Sequence, residues 1–189
     1  MPAPRNPTAR PPRLDRRRFL QLFAGAGAAL ASPIATARIL LPTERRLTLL
    51  NLHTGERISA VYRADGDYVA ESLAEISHVL RDHRSNQTHP IDPKLLDLLF
   101  ELQCQVDNHR ELHVISGYRS PRTNALLRAA SNGVAKRSLH TQGKAIDINL
   151  PGCELQKLRE AALALRAGGV GYYPKSGFIH VDTGRVRSW

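Results

Sequence analysis

The chain has 189 residues and a formal net charge of +10, and only 5% of its residues are aromatic. Six Arg and one Asp lie within residues 1–37, so the remaining 152 residues hold 21 basic and 16 acidic side chains, a net charge of +5. This modest charge suits an acidic polymer as partner or merely aids solubility. With no interleaving of basic and aromatic residues, it argues against nucleic-acid binding. About 152 residues are enough for one domain with a hydrophobic core.

The N-terminal segment has the order of an export signal. Three arginines, Arg16 to Arg18, precede large apolar residues. A moderately apolar run then extends to about Ala35, and an A-x-A site ends at Ala37. The paired arginines predict a twin-arginine-type signal peptide over residues 1–37, cleaved near Ala37 after passage through the twin-arginine export machinery. The alternative is an uncleaved anchor, but the apolar run is shorter than the roughly 20 residues that a spanning helix needs. No stable membrane insertion is expected after cleavage.

The remaining sequence predicts a short linker over residues 38–45 and one domain over residues 46–189. Two strands, at 46–53 and 58–63, flank a turn, and apolar spacing predicts a helix over 69–83. Asp92 and Pro93 have the residue types that begin a helix, as N-cap and first-turn residue.

The second half of the domain alternates strands and helices. A strand over 112–116 precedes a helix from Pro121 to about residue 130, and a polar loop over 131–139 leads to a strand over 145–150. A helix over 154–166 and a hairpin of strands 170–173 and 178–183 follow. This order predicts an α+β fold with an antiparallel or mixed sheet.

Two cysteines, Cys104 and Cys153, are too few for a disulfide framework. Export permits one bridge between them. The alternative is that they are free, with the thiol of Cys104 buried in an apolar helical run.

His140, Asp147 and His180 are the residues most suggestive of chemistry. Two imidazoles and a carboxylate can hold a catalytic zinc ion and leave a fourth position for water. Alternation within the predicted strand turns Asp147 away from Ile146 and Ile148, so the apolar pair can pack in the core while Asp147 faces a cleft. Spacing alone also permits hydrogen-bonded core histidines and a turn-capping Asp147.

The surrounding motifs resemble the D-alanyl-D-alanine metallopeptidase family, whose fold is shared with the Hedgehog signalling domain. The resemblance covers roughly residues 47–189 and is strongest to an exported murein endopeptidase subgroup. It rests on the spacing Ser138-x-His-x-x-Gly-x-Ala-x-Asp147 and on motifs at residues 116–124, 169–174 and 180–185.

The resemblance implies a Zn²⁺ ion held by His140, Asp147 and His180, with Arg119 stabilising the carbonyl oxygen of the scissile amide. It implies a periplasmic enzyme that uses metal-activated water to hydrolyse peptide cross-links of peptidoglycan. Two alternatives stay open: a carboxypeptidase or dipeptidase that trims D-alanyl ends, and a zinc-stabilised cell-wall-binding module without catalysis.

The sequence departs from the family pattern at the general base. Many members carry Glu three residues before the last zinc histidine, or His two residues before it, and these positions are Gly177 and Phe178 here. Asp182 shares a predicted strand face with His180, about 7 Å along the strand. It is therefore predicted to be catalytic, as the base, or instead to orient a ligand imidazole.

Two further arginines, Arg185 and Arg187, flank the last predicted strand. They could meet substrate carboxylates, but solvated surface charge is the favoured interpretation.

Overall fold

The computed structural model describes residues 44–131 and 133–189, which belong to one compact unit. The predicted signal peptide and most of the predicted linker lie outside the described residues. The first strand begins at Glu44, two residues before the predicted start of the domain.

The described residues form eight strands and four α-helices. In chain order these are β1 Glu44–Asn51, β2 Arg57–Ala64, β3 Asp67–Tyr68, α1 Ala70–Val79, α2 Pro93–Gln105, β4 Leu112–Ser116, α3 Pro121–Ala130, β5 Ala145–Asn149, α4 Leu155–Leu165, β6 Gly169–Tyr173, β7 Phe178–Asp182 and β8 Arg187–Ser188. Two short 3-10 helices, Leu139–Gln142 and Pro174–Ser176, precede β5 and β7.

All eight strands form one mixed sheet in the order β3-β2-β1-β4-β5-β7-β6-β8. Strands β1 and β4 are parallel, as are β6 and β8, and the other neighbours are antiparallel. The predicted α+β class with a mixed sheet is confirmed. Strands β3 and β8 were not predicted, because two residues are too few to show alternation.

The core forms where the alternating faces of the strands meet the apolar faces of the helices. Ile146, Ile148 and Ile179 are completely buried. Helix α2 adds a set of buried leucines, namely Leu95, Leu96, Leu98, Leu99 and Leu102. Burying side chains of this size stabilises the fold by about 1.5–3 kcal/mol each, and it fixes which face of β5 is left for polar residues.

Two predicted helix starts are confirmed by their hydrogen bonds. The side chain of Asp92 accepts from the backbone N–H of Lys94, and the side chain of Ser120 accepts from that of Thr123. These caps satisfy N–H groups that have no partner within a helix.

The predicted end of the first helix at residue 83 is wrong, since α1 ends at Val79. The chain then turns, and Asp82 pairs with Gln87 in an isolated bridge.

Both cysteines are free, so the bridge left open by the sequence is not formed, and Cys104 is exposed rather than buried. None of the helices in the described part of the chain has the length and apolar character that a membrane span requires.

Candidate metal centre and its cleft

Three elements bring His140, Asp147 and His180 together near the middle of the sheet. Asp147 on β5 pairs directly with His180 on the antiparallel strand β7, so their side chains lie side by side on one face. His140 lies in the 3-10 helix before β5, and Gly143 links the two with a left-handed backbone, φ 66°. All three side chains are buried.

One atom from each residue points to a common centre. His180 Nδ1 lies 2.9 Å from Asp147 Oδ1, and His140 Nε2 lies 3.3 Å from the same oxygen. The two ring nitrogens are 3.2 Å apart. Of the described residues, these three form the one cluster of at least three His, Cys, Asp or Glu side chains placed to share a metal ion.

The outer partners of the two imidazoles fix where their protons lie. His140 Nδ1 lies 2.7 Å from the carbonyl oxygen of Gly117, which can only accept, so this nitrogen carries the hydrogen. His180 Nε2 lies 3.0 Å from a carboxylate oxygen of Asp182 and is the donor there. In the neutral rings, His140 Nε2 and His180 Nδ1 therefore present lone pairs to Asp147.

Three acceptors converging within a buried space repel one another unless a cation lies between them. The cluster supplies two imidazole nitrogens and one carboxylate oxygen, and each imidazole has an outer partner that fixes its orientation. The chemistry of these atoms thus fits a bound metal ion.

The pKa shifts of Asp147 and His180 also show that this site favours positive charge. Burial alone would raise the pKa of Asp147, but the imidazoles of His140 and His180, when they carry an added proton, attract its charge, outweigh burial and hold the pKa below its usual range. Burial alone would lower the pKa of His180, but the carboxylates of Asp147 and Asp182 stabilise its protonated form and raise the pKa. The geometry of the lone pairs remains the stronger argument for a metal ion.

Asp182 is completely buried and lies on the far side of the His180 ring from Asp147. Its carboxylate accepts from the backbone N–H groups of Gly169 and Gly184, at 3.0 and 2.8 Å, and from both terminal nitrogens of Arg187. Burial alone would raise the pKa of Asp182, but these donors and His180 lower it. Of the two roles that the sequence left open, this arrangement favours orientation of His180.

Arg187 is therefore not the solvated surface charge that the sequence favoured. Its guanidinium is half-buried and forms two hydrogen bonds, of 3.0 and 2.6 Å, to Asp182. Charge-assisted pairs of this kind have a fixed geometry, so Arg187 helps to hold the carboxylate that orients His180.

Arg119 enters the cleft from the loop between β4 and α3. One terminal nitrogen lies 3.3 Å from Ser116 Oγ and 3.9 Å from Asp147 Oδ2. Its Nε is buried and has no hydrogen-bond partner among the described residues. Burial lowers the pKa of Arg119 despite attraction to Asp147. Arg119 also lines the cleft, where a guanidinium can donate to an oxygen atom of a ligand.

The loop that carries Arg119 is held at three successive backbone N–H groups. Tyr118 donates to the carbonyl of Leu80 at 2.8 Å, Arg119 to the carbonyl of His140 at 3.1 Å, and Ser120 to the carboxylate of Asp82 at 3.0 Å. A side chain at position 117 would lie 2.5 Å from the Leu80 carbonyl oxygen, so the close approach of the two backbone segments requires glycine there. Asp82 carried no sequence signal for this role, because its position fell inside the predicted helix 69–83.

The cleft above the cluster has a volume of about 480 Å³. Its described lining includes Arg119, Ser138, Tyr173, Phe178 and Trp189, beside the three clustered residues. Asp147 is the one carboxylate in this lining, while Asp182 does not reach it. Trp189 was likewise not predicted as a site residue, since no sequence motif includes it.

The α+β fold and the clustered site match what the resemblance to the D-alanyl-D-alanine metallopeptidases led us to expect. Residues 41–189 match the Peptidase M15_2 family, described as peptidoglycan L,D-endopeptidase MepK, and the chain belongs to this peptidase family. The predicted family and subgroup are confirmed.

Two relatives show how far the similarity extends. The chain is 48% identical over 176 residues to the peptidoglycan L,D-endopeptidase MepK of Escherichia coli strain K12, which covers 93% of this chain and 97% of the relative. It is 42% identical over 177 residues to the probable peptidoglycan L,D-endopeptidase MepK of Haemophilus influenzae, covering 93% and 95%.

Proposed function

We propose that this protein is a zinc-dependent murein endopeptidase that hydrolyses peptide cross-links of peptidoglycan. The observation that carries the proposal is the convergence of three buried lone-pair donors in a cleft that also contains Arg119. Family membership supports the peptidase reaction, and the names of both relatives specify the L,D-endopeptidase activity that we extend to this chain.

His140, Asp147 and His180 would hold the zinc ion. When bound by such a ligand set, zinc lowers the pKa of a water molecule to about 7 and polarises an amide carbonyl. Two nitrogens and one oxygen are the ligand types that zinc accepts, and a three-residue set leaves a position for water or substrate. Zinc is therefore the metal that we assign.

Arg119 would bind the oxygen of the scissile amide as negative charge develops on it. Its position in the cleft lining, beside Asp147, supports this role. Asp182 would keep the proton on His180 Nε2, which leaves Nδ1 free for the metal. The loop contact of Asp82 would keep Arg119 at this position.

We further propose that the enzyme acts in the periplasm. Its substrate class lies outside the cytoplasm, and the paired arginines and small-residue site of residues 1–37 support export through the twin-arginine machinery, with cleavage near Ala37. Export is tested by locating the protein through cell fractionation. The fractionation is then repeated with a variant in which Arg16 and Arg17 are both replaced by Lys. Unchanged export of that variant would contradict the twin-arginine route.

The activity is tested by incubating purified muropeptide dimers with the zinc-loaded protein and identifying the products by mass spectrometry. Dimers joined through two diaminopimelate residues should yield monomers, and His180→Ala should release none. Dimers joined through D-alanine, supplied in parallel, report which cross-link is preferred.

The same experiment discriminates between the alternatives. Loss of terminal alanine without separation of the dimer would identify a carboxypeptidase. A zinc-loaded wild-type protein that binds muropeptides but cleaves none would identify a binding module.

A further inference from the structure

Trp189 has an unusual combination of exposure and fixed position. Half of its surface is accessible, yet its side chain lines the cleft beside the metal-centre residues. The buried half of the residue gains from leaving water, while the accessible half gains nothing from burial in the folded chain. The accessible half can therefore still contact a ligand in the cleft.

The backbone of Trp189 is fixed to the edge of the sheet. Its N–H donates to the carbonyl of Val170 at 3.2 Å, and its carbonyl accepts from the N–H of Tyr172 at 3.1 Å. These bonds continue the parallel pairing of β8 with β6. The residue is thus part of the sheet rather than a loose end.

The indole ring is fixed as well. Its Nε1–H donates to the hydroxyl of Tyr173 at 2.8 Å, and the guanidinium of Arg187 lies 5.0 Å from the ring centroid. A side chain at Gly171 would lie 2.8 Å from the ring, so the indole rests directly on the backbone of β6. Contacts on these sides hold the ring in one orientation while half of the residue stays open.

The ring also stands next to the candidate metal centre. Its centroid lies 5.2 Å from that of His180, with the planes tilted by 49°. Tyr173 and Phe178, stacked with centroids 4.7 Å apart, continue the aromatic lining of the cleft. A substrate amide that reaches the cluster would bring its neighbouring groups against this lining.

We propose that Trp189 is a preorganised apolar wall that contacts the aliphatic groups of a stem peptide next to the scissile amide and contributes to substrate binding. This inference rests on the proposed function, because it places the cross-link at His140, Asp147 and His180. Tryptophan provides a large contact area and is enriched among residues that dominate binding energy. Fixing the ring in advance reduces the entropy lost when the substrate binds.

The chain contains a single tryptophan, so its fluorescence reports on this wall alone. Zinc-loaded Arg119→Gln, which should turn over slowly, is titrated with the dimer joined through two diaminopimelate residues. Tryptophan emission should change and saturate as the dimer binds. Unchanged emission while equilibrium dialysis shows the dimer bound would overturn the inference.

Kinetics on the same dimer separate binding from support of the fold. Trp189→Ala should raise KM about five- to tenfold, the factor expected for loss of one aromatic contact, with kcat within about twofold. Trp189→Phe should give an intermediate KM, since it keeps an apolar ring. Tyr173→Phe, which removes the hydroxyl that accepts from the indole but keeps both rings, should raise KM less than Trp189→Ala.

Other results would assign Trp189 to structure alone. If Trp189→Ala keeps the wild-type KM and loses kcat in proportion to lost zinc, the residue merely supports His180 and the wall is refuted. If the wild type cleaves the dimer and substitutions at residue 189 leave KM unchanged, the binding role of Trp189 is refuted and the proposed function stands. If emission changes and saturates but the wild type cleaves no dimer, the proposed function is refuted, while Trp189 still contacts the bound peptide.

Discussion

Asp97 and Asp147 both have several polar partners, and their surroundings differ in kind. Asp97 on α2 accepts from Arg45 at 2.9 Å, from the hydroxyl of Tyr62 at 3.0 Å and from that of Tyr68 at 2.7 Å. All of these partners carry hydrogens that point to the carboxylate. Asp147 instead faces two imidazole nitrogens whose hydrogens are directed elsewhere.

The difference separates a structural cluster from a binding site. The charge of Asp97 is neutralised by Arg45, and its oxygens have donors, so the cluster is complete without any further atom. The lone pairs around Asp147 remain uncompensated until a cation arrives. The direction of the hydrogens, rather than the number of polar residues, thus marks the candidate metal centre.

The largest effect is expected from Asp147→Asn. Replacing residues that only support a metal ligand typically costs about 10- to 100-fold in metal affinity or activity, so loss of a proposed ligand should cost more than about 100-fold in both. Zinc content by elemental analysis and dimer cleavage measure the two effects. Wild-type zinc content in Asp147→Asn would contradict the assignment of Asp147 as a ligand.

Arg119→Gln should lower kcat by about 10²–10³-fold while zinc content stays unchanged. Loss of one donor to a developing oxyanion has this magnitude, and the donor acts mainly in the transition state. Steady-state kinetics on the dimer and elemental analysis test the prediction. A rise in KM with unchanged kcat would instead indicate ground-state binding.

Asp182→Asn should weaken zinc affinity or lower activity by about 10- to 100-fold. Asparagine can no longer hold the His180 proton as firmly, because its NH₂ group can turn to the same ring nitrogen. Competition with a chelator gives the zinc affinity. Full zinc affinity with lost turnover would favour the general-base role, and full activity would contradict both roles.

Asp97→Asn should have the smallest effect on function. It should lower the free energy of unfolding by about 1–2 kcal/mol, since hydrogen bonds to a charged group are weakened, and leave zinc content and cleavage unchanged. Urea denaturation and elemental analysis measure both. As the same substitution at another carboxylate with several polar partners, it is the matched control for Asp147→Asn, and loss of zinc here would invalidate the distinction between the two clusters.

Much of the fold could be predicted because its signals are local. The predicted strand 112–116 has the same bounds as β4, and the predicted start of α3 at Pro121 is confirmed. Alternation along β5 correctly placed Ile146 and Ile148 in the core. The first helix was predicted too long, because the Leu80 carbonyl accepts from Tyr118 of the arginine loop and the backbone of Asp82 pairs with Gln87, so neither group continues the helix.

The residues of the candidate site were predictable only in part. The motifs around His140, Asp147 and His180 singled them out together with Arg119 and Asp182, and their roles stay predictions. Asp82 and Trp189 carried no sequence signal, since the contact of Asp82 with Ser120 spans 38 residues and that of Trp189 with the Tyr173 hydroxyl spans 16. Arg187 was predicted to be surface charge because its contact with Asp182 depends on the turn at Gly184, which the folded chain makes.

The sequence by itself determined the family, the α+β class and the three residues of the candidate metal centre, because residue types at fixed spacing follow from local backbone geometry and from shared motifs. The tertiary structure alone decided where the imidazole hydrogens point, which side of His180 Asp182 occupies, and that Trp189 stands at the cleft. These features depend on distances and directions between segments up to 40 residues apart in the chain, as for His140 and His180, which only the packed sheet sets.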